Sequence, residues 1–515
     1  MEKGEHKNTI AVLDFGSQYS HLIVRRIREL GVYAELLPPE TPAEKLSSYA
    51  AIVLSGGPQN LSDSEALKAD SRVFSLGLPL LGICYGMQLM AHQLGGKVKA
   101  GVKREYGPAR VSLSSESALF KGLLKNELTW MSHGDQVTLV PKGFKITGKS
   151  DACKVAAIED AKRRIYGIQF HPEVKHTANG MKIIKNFIHI SGAKRAWRLG
   201  KDWIEAAVSE IKAKAGKNRV LCALSGGVDS TVAAYLTHRA IGKQLTCVYI
   251  DTGLMRKGET EQIKKTFSSL PQLDFRAIDA EKEFLKALSG VTEPEKKRKV
   301  IGELFIRLFE KEAAKLGAVD FLVQGTLYTD AITSGVSVGG KAAVIKSHHN
   351  VGGLPKNLKF KLIEPLRDLY KDEVRVIGKS LGVPPEIVSR QPFPGPGLAV
   401  RIIGEVTKNK LETLRAADAI FREELMAAGE AKNIQQYFAV LPDIRSVGVQ
   451  GDARTYGHSV ILRAVTTSDF MTADWARIPH ELLARVSSRI TNEVAGVNRV
   501  AYDITSKPPG TVEWE

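Results

Sequence analysis

The six residues Ser225-Gly226-Gly227-Val228-Asp229-Ser230 constrain this chain more than any other stretch. The apolar run Val220 to Leu224 leads into them, and Thr231-Val232-Ala233-Ala234-Tyr235-Leu236 follows with a helix-like composition. A strand that turns through paired glycines into a helix leaves several backbone N–H groups unpartnered, and the helix dipole adds partial positive charge there. The result is an anion site. The glycines let phosphate oxygens approach the backbone, while the Ser225 and Ser230 hydroxyls add donors to the same concavity. Asp229 is misplaced beside an anion unless a divalent cation bridges the two, so the pattern predicts Mg²⁺ at Asp229. No Gly-Lys-Ser/Thr follows and no Gly-x-Gly-x-x-Gly opens a dinucleotide fold here, so both of those phosphate loops are excluded.

Upstream, the same strand-then-turn design recurs. Thr9 to Gly16 reads as a strand ending in a glycine turn, and Ser17 to Leu30 carries helical spacing closed by Gly31. Ala51 to Leu54 runs into Ser55-Gly56-Gly57-Pro58, and Leu78 to Ile83 runs into Cys84. Alternation of this kind predicts an α/β chain with parallel sheets and functional loops at the strand C-termini. Its 515 residues suggest roughly three or four domains.

Gly82-Ile83-Cys84-Tyr85-Gly86 has the form of a nucleophile elbow with sulfur in place of a hydroxyl. The helix expected over Met87 to Leu94 points its positive end at Cys84 and favours thiolate. A nucleophilic thiol needs a base, and the base an orienting acceptor. Phe170-His171-Pro172-Glu173, at the end of the strand expected over Ile165 to Phe170, supplies both. With Asp14 to Gln18, Ser55 to Pro58 and His133-Gly134-Asp135, these residues resemble a class I (triad) glutamine amidotransferase across the first 190 or so positions. The resemblance implies that Cys84 attacks the glutamine amide, His171 shuttles the proton and Glu173 holds the imidazole. It implies backbone N–H groups of Gly57 and Tyr85 as the oxyanion hole, with Gln88, His133 and Asp135 lining the glutamine pocket.

Between Gly192 and Arg219 the text becomes basic and helix-forming, which predicts a linker and a leading helix. After Ser230, the strand expected over Leu245 to Ile250 ends in Asp251 to Arg256, and Phe321 to Thr326 repeats the design, so both turns should border the site at Ser225 to Ser230. Lys346-Ser347-His348-His349 adjoins Gly352-Gly353 and reads as a mobile lid whose cations, Lys346, His348 and His349, meet phosphate. Lys371 opens a helix that presents it to the same site. Arg298 lies in a basic stretch that is either a phosphate ligand or a solvated face. Ser225 to Ser230 resembles the pyrophosphate loop of N-type ATP pyrophosphatases, an adenine-nucleotide α-hydrolase-like fold. The fused order, with the lid and Arg390-Gln391-Pro392-Phe393-Pro394-Gly395-Pro396-Gly397-Leu398, resembles the glutamine-hydrolysing GMP synthetase family over essentially the whole chain.

That resemblance implies an amidotransferase domain at 1–195, an ATP pyrophosphatase at 196–395 and a small α+β domain at 396–515. The third domain is expected to bind XMP and to make a homodimer. Strands are expected over Ala399 to Ile403, Gln436 to Leu441, Ser459 to Ala464 and Asn498 to Ile504, and helices over Lys410 to Ala428 and Asp474 to Val494. By the same resemblance Arg298, Arg499 and Lys507 hold the XMP phosphate, and Glu513 bonds the purine or ribose. The family reads Tyr-Pro-Asp-Val-Ile-Glu-Ser where this chain has Tyr328-Thr329-Asp330-Ala331-Ile332-Thr333-Ser334. Thr333 thus removes a carboxylate, which bears on metal binding or on signalling between the sites.

The formal net charge of +17 suits polyanionic nucleotide substrates, and its dispersal, with only the short cluster Lys296 to Lys299, argues against nucleic acid as a partner. Four widely spaced cysteines, Cys84, Cys153, Cys222 and Cys247, form no C-x-x-C pair and indicate neither a disulfide scaffold nor a structural zinc site. With 43% hydrophobic and 25% charged residues, no apolar run long enough to span a bilayer and a charged start at Met1 to Asn8, the expectation is a cytoplasmic protein with no membrane contact.

Overall fold

A computed structural model describes residues 5–330 and 360–515, apart from 62, 64, 272, 318, 451, 452 and 468–471. The chain divides between Arg198 and Leu199 into two compact units. Lys346, His348 and His349 of the expected lid lie outside the described residues, as does Thr333.

The first unit is built on one nine-stranded sheet. Its strands are β1 (Thr9–Leu13), β2 (Tyr33–Leu37), β3 (Ala51–Leu54), β4 (Leu80–Ile83), β5 (Lys97–Leu113), β6 (Asn126–Leu139), β7 (Lys145–Lys149), β8 (Ala157–Asp160) and β9 (Ile165–Ile168), in spatial order β2-β1-β3-β4-β9-β8-β7-β5-β6. From β2 through β9 the neighbours are parallel. From β9 onward they are antiparallel, an extension that the strand-and-helix alternation of the first hundred residues does not announce. The parallel strands β1, β3, β4 and β9 are buried along their whole length, as expected of strands covered on both faces. Helix Ser20–Glu29 covers them with Ile23, Val24 and Ile27 buried, and it ends before Gly31, whose φ of 88° lets the chain reverse.

The second unit opens with helix Lys201–Ala215, the expected leading helix. A five-stranded sheet follows, made of β10 (Val220–Leu224), β11 (Leu245–Asp251), β12 (Asp274–Asp279), β13 (Phe321–Val323) and β14 (Lys361–Ile363), in order β12-β11-β10-β13-β14. All four pairings are parallel, so the C-terminal ends of β10, β11 and β13 open on one side. A second five-stranded sheet contains β15 (Gln436–Val440), β16 (Arg445–Gln450), β17 (Ala453–Thr466), β18 (Asp474–Trp475) and β19 (Val497–Asp503). One continuous apolar core joins the two sheets, running from Leu221 and Val248 through Leu398 and Phe421 to Val460 and Val486.

Two expectations for the last third need correction. Ala399 to Ile403 is no strand: Gly397–Arg401 form a 3₁₀ turn, because Gly397 adopts a φ of 65° and Leu398 N–H bonds the Leu254 carbonyl instead of a sheet partner. Ile402 alone bridges to Leu441. The helix expected from Asp474 begins at His480, since Pro479 caps it and the two residues Asp474 and Trp475 pair with β17 first. The hairpin partner β16 escaped notice because Arg445 to Gln450 offers only two apolar residues, Val447 and Val449.

Candidate active sites

The loop after β4 is an elbow. Cys84 sits at φ 52° and ψ −109°, a conformation that strains an L residue, between β4 and helix Tyr85–Gln93. The flanking glycines are steric requirements, since a Cβ on Gly86 would lie 2.4 Å from the Leu54 carbonyl oxygen and one on Gly82 would lie 2.7 Å from Gly86 O. Strain and close packing together hold the sulfur at the helix N-terminus.

The chain brings the three expected triad residues together. His171 Nδ1 donates to Glu173 Oε1 at 2.7 Å, and the Cys84 sulfur acts electrostatically on the same ring. All three are buried: Cys84 is 4%, His171 3% and Glu173 1% exposed. Burial works against a charged imidazole, yet the Glu173 carboxylate and the Cys84 sulfur outweigh it and push His171 up to about 10. Tyr19 packs edge-on against the imidazole with ring centroids 5.1 Å apart, and Arg26 Nε donates to the Glu173 carbonyl at 3.1 Å.

The loop Ser55 to Pro58 lies directly over this group. A carbon built on Gly56 would meet His171 Cε1 at 3.0 Å and Cys84 Cβ at 3.7 Å, and one on Gly57 would meet Tyr85 Cγ at 3.3 Å. Gly57 and Tyr85 are therefore neighbours beside the sulfur. Tyr85 is the first helical residue, so its N–H has no acceptor one turn earlier. Gln88 Nε2 donates to the Asp135 carbonyl at 2.8 Å and to Gln169 Oε1 at 3.3 Å, and Gln169 Nε2 reaches Cys84 Sγ at 3.6 Å. Gln169 is a residue the sequence reading missed, although it stands two positions before His171. His133 meets this chain of amides at the same carbonyl: its Nδ1 faces the Asp135 carbonyl at 3.1 Å, and its Nε2 faces Glu105 at 3.3 Å.

In the second unit the turn after β10 has the expected form. Ser225 and Ser230 share a hydroxyl hydrogen bond of 3.0 Å, and Gly227 N–H and Ser225 N–H turn toward those oxygens at 3.3 Å. Gly226 has a φ of 77°, and a Cβ there would strike Ile263 Cδ1 at 2.4 Å, so only glycine fits. Val228 begins helix Val228–Ile241, placing Asp229 in its first turn. Asp229 Oδ2 lies 3.4 Å from Lys371 Nζ, while its buried Oδ1 has no hydrogen-bond partner. Burial raises this carboxyl above its usual range, Lys371 lowers it, and the nearby Asp330 raises it again. An orphaned carboxylate oxygen beside a second carboxylate is a hard-oxygen donor set that fits Mg²⁺.

The turns after β11 and β13 close in as expected. A carbon on Gly226 would meet Met255 Cε at 3.4 Å, and one on Gly325 would meet the Asp229 carbonyl carbon at 2.9 Å. Arg390, which the sequence reading quoted only as part of a motif, braces the loop from behind. It donates to Gly226 O at 2.5 Å and Gln262 Oε1 at 2.6 Å.

The four residues expected at XMP are differently placed. Arg298 Nη2 donates to Glu515 O at 2.6 Å, and the Glu513 carboxylate accepts from Arg401 at 2.8 and 3.0 Å and from Gln436 Nε2 at 2.6 Å. Lys507 pairs through its main chain with Ala473, and Arg499 stands exposed on β19. Lys297, fully buried, bonds Glu515 Oε2 and the Ile402 carbonyl, each at 2.6 Å, a role its place in a basic run does not signal. The Arg401–Glu513 and Lys297–Glu515 pairs thus fix residues 513–515 to the segment that follows Gln391 to Gly397.

Comparison with known families agrees with this geometry. Residues 11–190 match the class-I glutamine amidotransferase model, 197–307 the NAD synthase model and 423–514 the GMP synthase C-terminal domain model. A curated GMP synthase (glutamine-hydrolysing) of Syntrophomonas wolfei is 57% identical over 99% of this chain and 100% of its own length. Those of Geobacillus kaustophilus and Symbiobacterium thermophilum are 56% and 55% identical, each over 99% of this chain and 100% of their own length. Full-length identity at this level, over a chain that holds both the triad and the pyrophosphate loop, places the protein in the glutamine-hydrolysing GMP synthase family.

Proposed function

We propose the following division of labour within the reaction of this family, in which XMP, ATP and glutamine give GMP, AMP, pyrophosphate and glutamate. The observation that carries it is the assembled Cys84–His171–Glu173 group, on its elbow, in one chain with an anion loop that has an orphaned carboxylate at its rim. Cys84 Sγ attacks the glutamine side-chain carbonyl, and the N–H groups of Gly57 and Tyr85 take the oxyanion. His171, its positive charge stabilised by Glu173, gives its proton to the departing nitrogen, so ammonia leaves and a glutamyl thioester remains. Water, deprotonated by the same imidazole, hydrolyses the thioester to glutamate. Gln88, Gln169 and Asp135 line the glutamine side of this pocket.

In the second unit the backbone N–H groups of Ser225 to Ser230 and the Ser225 and Ser230 hydroxyls bind the β- and γ-phosphates of ATP. Asp229, with Asp330 beside it, would hold Mg²⁺, which neutralises charge on the phosphates. Lys371 adds a cation at the same place. The 2-oxo oxygen of XMP attacks the α-phosphorus, pyrophosphate leaves, and ammonia then displaces AMP at carbon 2. Arg298, Arg499, Lys507 and Glu513 are our assignment for XMP. Arg298 and Glu513 are engaged with other protein groups, so this part of the assignment requires them to exchange partners when the nucleotide arrives. The 1–195, 196–395 and 396–515 division is supported by the positions of the three family matches.

A homodimer through the last domain is supported by Val447, Val449 and Tyr456, which are 48%, 74% and 66% exposed on the β16–β17 hairpin. No described helix is long and apolar enough to cross a membrane, and we assign the protein to the cytoplasm with no nucleic-acid partner. The deciding experiment follows glutamate, AMP and GMP with ATP and Mg²⁺ present, with and without XMP. GMP formation that requires XMP, with glutamate release raised by it, supports the scheme. Glutamate release indifferent to XMP, with no GMP, overturns the acceptor assignment.

A further inference from the structure

Glu105, His133 and Cys153 bring a carboxylate oxygen, an imidazole nitrogen and a thiol sulfur within 4.8 Å of one another. They come from three separate places: β5, β6 and the turn between β7 and β8. The Asp135 carbonyl can only accept, so the 3.1 Å contact makes His133 Nδ1 the protonated nitrogen. Nε2 of the neutral ring is then a lone pair. It is buried, it makes no hydrogen bond, and it faces Glu105 Oε2 at 3.3 Å. Two acceptors aimed at each other are mutually repulsive unless a proton or a metal cation stands between them, and the placement of Cys153 within the same group is what favours a metal.

The surrounding groups hold these donors in place. Ser150 Oγ donates to both Glu105 oxygens, at 2.9 and 3.1 Å, and accepts from Cys153 N–H at 2.9 Å, so one hydroxyl positions two of the three residues. A carbonyl on Nδ1 and a hydroxyl on the carboxylate are the outer partners that metal ligands ordinarily carry. His133 and Cys153 are 4% and 0% exposed, while the Glu105 side chain is 12% exposed and forms the open side. One nitrogen, one sulfur and one oxygen suit a borderline-soft ion, with bonds of about 2.0–2.3 Å that require the three donors to close slightly.

We propose that Glu105, His133 and Cys153 form a binding site for a zinc-class divalent cation, separate from the Mg²⁺ expected at Asp229. The site adjoins the glutaminase centre. The strand that carries His133 also places the Ser132 carbonyl 3.5 Å from Cys84 Sγ, and the Asp135 carbonyl that takes His133 Nδ1–H also takes Gln88. Cation binding therefore stiffens the wall of the glutamine pocket.

The test uses the full chain carrying Cys84→Ser, so that the nucleophile cannot supply a competing sulfur, titrated with Co²⁺ alone. Expected is a near-ultraviolet thiolate-to-cobalt absorption that saturates at one equivalent per chain, any cobalt held by the Asp229 carboxylate being without it. Cys153→Ser, added to Cys84→Ser, removes that absorption, and Glu105→Gln weakens binding by about 10- to 100-fold. Cys153→Ala, which leaves no polar atom to bury, gives the same loss and guards against a folding defect, with circular dichroism of both variants matching the parent. Absence of a saturable thiolate-to-cobalt absorption in Cys84→Ser, or an absorption that survives Cys153→Ser in a folded protein, overturns the site.

Discussion

The two centres differ in how much of their chemistry the protein has already joined. At Cys84 the sulfur sits on a strained turn beside an imidazole that is hydrogen-bonded to its carboxylate, and all three are buried. At Ser225 the hydroxyls bond one another, Asp229 Oδ1 has no partner, and Lys371 stands 41% exposed beside it. Covalent catalysis requires groups that meet before substrate arrives, because a misaligned nucleophile contributes nothing. Phosphate chemistry instead requires a cradle whose charges are completed by the ligand and its cation. One centre is joined by the protein's own contacts, and the other presents donors and charges that the protein does not pair off.

Variants that separate the centres test this contrast, and the sharpest is at the nucleophile. Cys84→Ala should lower glutamine-dependent GMP formation by about 10³-fold or more while formation from added ammonium salt stays near the parental rate. A parallel fall with ammonia would mean that the Cys84 centre also serves the other reaction. Asp229→Asn should lower GMP formation from either nitrogen source by about 10²- to 10³-fold and raise the Mg²⁺ needed for half-maximal rate. An unchanged Mg²⁺ requirement would remove Asp229 from the cation site.

Glu173→Gln should cost about 10²- to 10⁴-fold in glutamine-dependent rate and leave the ammonia-dependent rate alone. The same variant carries a pH signature. His171 is raised from its ordinary 6.5 to about 10, so its contribution to stability is present in full below pH 6.5 and is lost as pH rises through about 10. Thermal melts of the parent across that range should decline more steeply than those of Glu173→Gln, whose imidazole lacks the carboxylate. Equal slopes would show that Glu173 does not hold the charge. The smallest effect belongs to the loop: Gly226→Ala, strained at φ 77° and crowded by Ile263, should cost about 1–3 kcal/mol in denaturant unfolding, with its functional loss confined to ATP-dependent steps.

What was legible in the sequence follows the same division. The elbow and the pyrophosphate loop were readable because each is a continuous stretch in which glycines, a reactive residue and flanking strand and helix must all coincide. Gln169 and Arg390 were not, because their roles depend on contacts 85 and 164 residues away. Lys297 was hidden for a related reason. In sequence it is one of four consecutive basic residues, and only packing shows that Lys296 and Lys299 are exposed while it is sunk against the Ile402 carbonyl and Glu515. The antiparallel half of the first sheet was likewise obscured, since β5 and β6 alternate buried and exposed positions that read as surface.

The four cysteines have a practical consequence. All are buried, but burial pushes Cys153 up to about 11 and Cys247 well above the usual thiol range, and Cys222 lies across from Cys247 within the sheet. Cys84, by contrast, acts electrostatically on an imidazole biased toward its cationic form. A small haloacetamide at neutral pH should therefore modify one thiol per chain, and glutamine should protect it. The mass added to the protein then counts working glutaminase sites in any preparation, without a coupled assay and without nucleotide.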